Sequence, residues 1–256
     1  LGSDAWQLSR CSPLSLVVPL RSPQLLTSVD LRFMDTLDFT LEAFLCCSNL
    51  EKLLVGGCSQ LTGTLSAPLI EFITNIRRRY GLEAVDLSKC GTFTVPAHVK
   101  YLVEVDLRNI DSLELPKLTT FEGCGQHLKT LMFDDCPLVA GDIAGLAKHC
   151  HQLTVIGAGN TGISASLEGV AHYLGSTPRV LRFHSGTEFE GSISALNECT
   201  SVMTLDVHST AVAGDLSGLN SLRDLRYLDV SATDITGSLS DLGKQCLCLE
   251  EIHADH

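Results

Sequence analysis

The chain has 256 residues, a formal net charge of −12 at pH 7 and a mean hydropathy of +0.21. Its hydrophobic content of 45% is enough for a buried core, and this composition excludes a disordered chain. The negative charge argues against a protein that binds nucleic acid or an anionic membrane, because either needs a basic surface. No apolar run reaches the length of a membrane span.

A sequence repeat runs through the chain from residue 26 onward. It is clearest where residues 202–216 are aligned with residues 225–239, because every apolar position matches and so do Asp206 and Asp229. Most units have a length of roughly 20–29 residues, and a fixed period of this size indicates a solenoid of stacked units. The first positions of the units are Leu26, Leu50, Leu82, Leu102, Leu128, Leu153, Pro178, Val202, Leu225 and Leu249.

The repeat divides the chain into two parts. Residues 1–25, which include three prolines, are predicted to be a lead-in or a degenerate first repeat. Residues 26–256 are predicted to form one elongated domain of about nine to ten repeats. Solenoid ends need polar capping units, and neither end of the sequence has a clear one. The chain is therefore expected to be a fragment of a longer protein.

One unit near the start of the domain is longer than the others. Residues 68–80 are predicted to add helical turns to it, and the unit that follows is short. The insertion ends in three consecutive arginines, Arg77, Arg78 and Arg79. They are interpreted as the solvated end of the helix, and a contact for an acidic partner is the alternative.

Each unit is predicted to have the same internal order. In Leu205-Asp206-Val207, two apolar residues point into the core and the aspartate points to the concave side, because side chains alternate along a strand. A glycine turn such as the one at Gly214 comes next. A helical or 3₁₀ stretch, as predicted for residues 143–149, then closes the unit on the convex side.

The pattern L-x-x-L-x-L-x-x-N/C-x-L resembles that of leucine-rich-repeat proteins over residues 26–256. The turns Gly214-Asp215-Leu216 and Gly237-Ser238-Leu239 are similar to the plant-type variant, and residues 146–156 resemble the cysteine-containing variant of F-box proteins. The resemblance implies an α/β fold, a curved horseshoe with a parallel sheet on the concave face and short helices or 3₁₀ turns outside. It also implies recognition of proteins. The family's asparagine ladder is replaced by Cys58, Cys90, Cys136, Thr161, Thr187, Thr210 and Thr233.

The eleven cysteines follow the repeat. Three of them occupy the ladder position. Four more share the position three residues before a unit begins, namely Cys47, Cys150, Cys199 and Cys246. Repeat-periodic cysteines are interpreted as small buried residues and not as disulfide partners. This placement predicts an intracellular, reducing compartment.

Five aspartates share the outward position of the strands and are candidate binding residues: Asp30, Asp86, Asp106, Asp206 and Asp229. Strands are spaced by about 4.8 Å, which predicts that Asp86 lies beside Asp106, and Asp206 beside Asp229. One interpretation is that these carboxylates bond to nearby backbone or hydroxyl groups. The other is an acidic concave face for a basic segment of a partner protein.

A second group of candidates lies in the same region. His184 and His208 share the next concave position and are expected to lie one above the other, with Arg182 and Asp206 nearby. They are interpreted as surface histidines, with a partner contact or a metal site as alternatives. A third and a fourth metal ligand are not evident in the sequence, so no metal is predicted.

Residues 157–162 match the dinucleotide-binding pattern G-x-G-x-x-G. That interpretation is rejected because the residues fall in the repeat register. In addition, His184 and Ser185 stand where an acidic residue should hold the ribose. No other catalytic motif is present. The chain is therefore predicted to be non-catalytic and to need no cofactor.

The predicted function is a scaffold or adaptor for protein–protein interaction, as a possible structural subunit of a larger assembly. One alternative is the substrate-recognition region of an F-box-type ubiquitin ligase, which the cysteine-type units suggest. Another is the sensing region of a receptor or kinase. The predicted partners are other proteins, with no nucleic acid and no membrane insertion by this segment.

Overall fold

In a computed structural model, the protein is described at residues 5–7, 23–35, 39–115, 117–185 and 188–255. The concave face carries parallel strands, as the repeat predicted, but they form two sheets and not one. The four-stranded sheet consists of Ala5–Gln7, Ser28–Asp30, Lys52–Leu54 and Val85–Asp86. The seven-stranded sheet consists of Glu104–Asp106, Thr130–Met132, Val155–Gly157, Val180–Arg182, Thr204–Asp206, Tyr227–Asp229 and Glu251–His253.

The strands are in the register that the apolar pattern predicts. Leu205 pairs with Leu228 and both side chains are fully buried. The residues on either side of each leucine are less buried or point outward, as expected for a strand with one face in the core. The buried positions form one core cluster from Leu26 to Cys246.

The segments around the predicted glycine turns form short strands of two further parallel sheets. One contains Gly63–Thr64, Phe93–Thr94 and Leu113–Glu114, and another contains Ala140–Asp142, Gly162–Ser166, Phe189–Ser192, Ala211–Asp215 and Asp234–Thr236. Gly214 and Gly237 lie within or directly after these strands at φ of 121° and 117°. Few side chains other than glycine adopt such angles, which explains the glycine at this position of the repeat.

Short helices close the units on the convex side. The α-helices are α1 (Ala67–Tyr80), α2 (Ile143–Ala147), α3 (Leu167–Leu174) and α4 (Leu239–Gln245). The 3₁₀ helices are Pro23–Leu25, Leu41–Phe44, Leu82–Ala84, Leu118–His127, Ile193–Glu198 and Leu216–Leu219. Polar side chains cap several of them: Asp142 accepts hydrogen bonds from two backbone N–H groups of α2. In the described part of the chain, no helix combines the length and apolarity that crossing a membrane requires.

Helix α1 is the predicted insertion, and its last turn interrupts the concave face. Arg77 donates hydrogen bonds to the backbone oxygens of Val85 and Asp106, each at 3.1 Å. Thr74 Oγ1 accepts the N–H of Asp106 at 3.0 Å. Val85–Asp86 and Glu104–Asp106 belong to different sheets as a result.

Two predictions about this region are corrected: the arginines are solvated only at Arg78 and Arg79, and Asp86 does not lie beside Asp106. Arg77 is buried, with 3% of its surface exposed, because its guanidinium replaces a missing strand pairing. Asp86 and Asp106 do not lie side by side on paired strands, since helix α1 supplies the contacts of Asp106 at that point.

The ladder position has two kinds of hydrogen bond. Cys58, Cys90 and Cys136 donate to a backbone oxygen of the preceding unit, at S–O distances of 3.1, 3.2 and 3.0 Å. The threonines donate within their own unit, as Thr210 does to Val207 at 2.6 Å. A thiol is a weak hydrogen-bond donor, so the cysteine bond between units contributes less to stability than an asparagine bond would. Thr187 lies outside the described residues.

Close stacking of the convex helices makes one substitution costly. A Cβ on Gly218 would lie 2.8 Å from the Cα of Ser194 in the neighbouring unit. We expect Gly218→Ala to lower the free energy of unfolding by about 1–3 kcal/mol, because backbone must move to admit it. Gly243→Ala in α4 is the matched control, since nothing lies within 4 Å of its added Cβ.

Urea unfolding of the two variants checks this expectation. Gly243→Ala should be neutral or stabilising by up to about 1 kcal/mol, because alanine favours a helix over glycine. Equal destabilisation by both substitutions would contradict the close approach at Gly218.

Candidate functional site on the concave face

The strands place the candidate residues on one surface. Asp106, Arg182, Asp206 and Asp229 each end a strand of the seven-stranded sheet, and Asp30 and Asp86 each end one of the four-stranded sheet. His184 and His208 follow two residues after Arg182 and Asp206, so they point to the same side.

Two of the aspartates are paired with arginines in the turn that follows their own strand. Arg32 holds both carboxylate oxygens of Asp30, and Arg108 holds both of Asp106 at 2.8 and 2.6 Å. The hydrogen bond from Arg32 lowers the pKa of Asp30. Burial acts to raise the pKa of Asp106, but the hydrogen bonds and charges of its two arginines outweigh it and the pKa is lowered. The spacing D-x-R could have revealed both pairs in the sequence.

Two further aspartates bond to backbone of their own turn. Asp86 accepts hydrogen bonds from the N–H and the hydroxyl of Ser88 at 3.0 and 2.7 Å. Asp229 accepts the N–H of Ser231 at 3.0 Å. These contacts match the local interpretation of the aspartate row, in which the carboxylate holds the turn after the strand.

The row is also less exposed than the sequence suggested. Asp106 and Asp206 are buried, at 7% and 9% exposure, because they are covered by neighbouring side chains of the same face. This low exposure and the local hydrogen bonds favour the interpretation in which the aspartates bond to nearby groups over that of an acidic face along the whole row.

The two histidines lie one above the other. The rings of His184 and His208 are 4.9 Å apart between centroids, with an interplanar angle of 1°. His208 Nδ1 is 2.8 Å from Asp206 Oδ1 and 3.6 Å from Asp229 Oδ2. The structure thus brings together His184, His208, Asp206 and Asp229, while the half-buried Arg182 lies on the strand beside Asp206.

Asp134 is a member of this surface that the sequence did not single out. Its Oδ1 accepts the N–H of Gly159 at 3.1 Å and lies 3.7 Å from His184 Nε2. Its Oδ2 is buried with no hydrogen-bond partner among the described residues. Burial is the largest influence on this carboxyl, and its pKa is raised.

Two glycines make room for these side chains. A Cβ on Gly157 would overlap Asp134, and a Cβ on Gly159 would overlap His184. These are the first two glycines of the G-x-G-x-x-G pattern. Their structural role on the concave face accounts for that pattern without a nucleotide.

The last described strands form an acidic end. Tyr227 lies half-buried there, and its pKa is raised first by burial and then by the charges of Asp206, Asp229 and Glu251. Glu251 contacts His253 at 2.8 Å, and this hydrogen bond raises the pKa of His253. Of this group the sequence had indicated the two aspartates.

One group of three side chains in the described ranges offers donors for a metal ion. The donor atoms of Asp206, His208 and Asp229 all lie within 4.8 Å of one another. The sequence predicted Asp206 beside Asp229 and close to His208, but it did not identify the three as one set of donors.

Comparisons with known proteins place the fold. No protein-family model and no characterised protein sequence matches this chain. The Arabidopsis receptor kinase HAESA, in complex with the peptide hormone IDA and the co-receptor SERK1, matches 89% of this chain and 38% of its own, with 18% identity and a TM-score of 0.57. The plant peptide hormone receptor RGFR1, in complex with RGF2, matches 83% of this chain and 37% of its own, with 18% identity and a TM-score of 0.51.

A third match is the LRR ectodomain of the plant membrane receptor kinase GASSHO1/SCHENGEN3 from Arabidopsis thaliana. The match covers 88% of this chain and 32% of the ectodomain chain, with 16% identity and a TM-score of 0.46. The chain spans well under half the length of these three structures. The likeness is one of architecture: this chain has the leucine-rich-repeat fold, an α/β solenoid of parallel strands and short helices.

Proposed function

We propose that this chain is a non-catalytic protein-interaction module whose concave face binds an extended segment of a partner protein. The observation that carries the proposal is the row of outward polar side chains from Asp106 to His253, held in place by hydrogen bonds within their own units and, at Asp134, to the next unit. Side chains that are already ordered lose little entropy when a partner binds.

We further propose that the bound segment carries a basic side chain. Asp30 and Asp106 are neutralised by arginines, so the charge free for a partner collects at the acidic end. There Glu251 and Asp255 are exposed and Asp229 is half-buried. Tyr227 adds an aromatic ring beside these carboxylates, and a ring face attracts lysine and arginine.

The structural neighbours support a polypeptide ligand. HAESA, which shares the fold, was solved in complex with a peptide hormone, and RGFR1 is a peptide hormone receptor solved in complex with RGF2. This likeness also favours a second candidate function, the sensing region of a receptor. The scaffold or adaptor proposal is kept first, because the ten described cysteines are free thiols. These thiols support the proposal of an intracellular, reducing compartment.

A selection from a phage-displayed library of random linear peptides tests the proposal. Peptides enriched by the chain should contain arginine or lysine. We expect their affinity to fall about tenfold in Asp229→Asn/Glu251→Gln, because two opposing charges are lost. The affinity should also fall with rising salt, since these carboxylates are solvent-exposed or half-buried.

The matched control removes two charges that lie outside the concave face. Glu188 and Asp234 are exposed residues at the five-stranded sheet of the glycine turns. The double variant Glu188→Gln/Asp234→Asn should leave peptide affinity unchanged. Equal losses in both double variants, or selected peptides without basic residues, would overturn the basic-segment proposal. The absence of any enriched peptide would overturn the concave binding site.

A further inference from the structure

We propose that Asp206, His208 and Asp229 form a binding site for one divalent transition-metal ion, with Zn²⁺ as the probe. The site lies on the concave face, and its donors are one imidazole nitrogen and two carboxylates. The inference does not rest on the proposed function, because it concerns the ion alone and involves no partner protein.

The donor atoms have the separations that a metal ion requires. His208 Nδ1 lies 2.8 Å from Asp206 Oδ1 and 3.6 Å from Asp229 Oδ2. Zinc binds nitrogen and oxygen at about 2.0–2.2 Å, so two ligands of one ion are about 3–3.5 Å apart. An ion between the three donors would take the place of the hydrogen bond between His208 and Asp206.

The three residues are held on a rigid support. Asp206 and Asp229 are register partners on adjacent parallel strands. Backbone N–H groups of His208 and Ser231 donate to Asp206 Oδ1 at 3.3 Å and to Asp229 Oδ1 at 3.0 Å. The His208 ring is fixed by its parallel stacking on His184. Such supporting contacts orient metal ligands and raise affinity.

The charge of the group favours a cation. The side chains of Asp206 and Asp229 are only 12% and 14% exposed, and the imidazole of His208 lies against both carboxylates. Asp106, at the same position of its strand, is instead compensated by two arginines. Two weakly solvated carboxylates that share one imidazole repel each other, and a divalent ion removes this repulsion.

The donor set also predicts which ions bind. Imidazole suits zinc, copper, iron and nickel, whereas magnesium and calcium prefer sites made of oxygen alone. The side chain of His208 is 32% exposed, so water reaches the open side of the site. Three protein ligands and one water complete a four-coordinate zinc ion.

Isothermal titration with Zn²⁺ tests the site. Exposed thiols also bind zinc, so the titration uses a Cys46→Ser/Cys248→Ser background. We expect one Zn²⁺ per chain and a melting temperature that rises with its concentration. His208→Gln and Asp229→Asn should each weaken binding by about tenfold or more.

Two controls separate the site from general attraction to an acidic chain. His172→Gln on α3 and Asp86→Asn on another strand remove the same kinds of donor elsewhere, and they should leave zinc affinity unchanged. The site would be overturned if His208→Gln and Asp229→Asn bound zinc as tightly as the background chain does. Mg²⁺ binding as tightly as Zn²⁺ would overturn it as well. Melting of each variant without metal verifies that it is folded.

The result is independent of the peptide selection, which is carried out with a metal chelator. Zinc binding without any enriched peptide would support the metal site and count against the proposed function. Peptide binding without zinc binding would support the proposed function and overturn the metal site.

Discussion

Replacing Arg77 with alanine is expected to destabilise the chain by about 3–5 kcal/mol, which is the usual cost of removing one partner of a buried ion pair. The Arg77 side chain is 1% exposed, and its guanidinium lies 3.5 Å from the Asp106 carboxylate. It also donates to the backbone oxygens of Val85 and Asp106. Alanine leaves both oxygens without this donor and removes one of two positive charges from a buried carboxylate.

Arg78→Ala is the matched control for this prediction. Arg78 is the next residue of the same helix and also pairs with an acid, but its side chain is 56% exposed and that of Glu104 is 32% exposed. Exposed pairs of this kind contribute about 0–1 kcal/mol. Similar losses in Arg77→Ala and Arg78→Ala would contradict the role of Arg77 between the two sheets.

Urea unfolding measures the two losses, and hydrogen exchange locates them. In Arg77→Ala, the N–H groups of Val85–Asp86 and Glu104–Asp106 should exchange faster, because these strands end their sheets at the break. Strands far from the break, such as Tyr227–Asp229, should keep their protection. Each unit contacts mainly its neighbours, so the effect should decline along the solenoid.

Alkylation of the native protein is expected to separate its cysteines into two classes. Cys46 and Cys248 are exposed and should react with iodoacetamide, while the other eight described cysteines are buried and should react only after unfolding. Burial raises the pKa of Cys90 and Cys136 to about 12 and that of Cys47, Cys150 and Cys199 to about 11.

The expected rate difference follows from the thiolate population. Only the thiolate reacts, so a pKa raised by two to three units lowers its population roughly 100- to 1000-fold. Burial slows the reaction further by excluding the reagent. A pulse of iodoacetamide followed by mass spectrometry of the peptides measures each cysteine. Fast labelling of Cys136 in the folded chain would contradict its position in the ladder.

The concave strands, the core residues and the ladder were predictable from the sequence alone. Each depends on a pattern that is local and repeated: Leu205 and Leu228 are buried because alternation in a strand sends every second residue inward. Cys136 and Thr210 were found in the same way, by their place in the unit. The expected stacking of His184 on His208 also followed from the period, since equal positions in successive units lie above one another.

The sequence left other features undecided because they depend on contacts between units. The period cannot show that the last turn of α1 separates two strands, since this depends on how a longer unit packs against its neighbour. Nor does it show that Gly157 and Gly159 leave space for Asp134 and His184, or that donor atoms of Asp206, His208 and Asp229 come within 4.8 Å of one another. A repeat determines which way each side chain points, and the tertiary structure determines which side chains meet, because the units are unequal in length and in side-chain size.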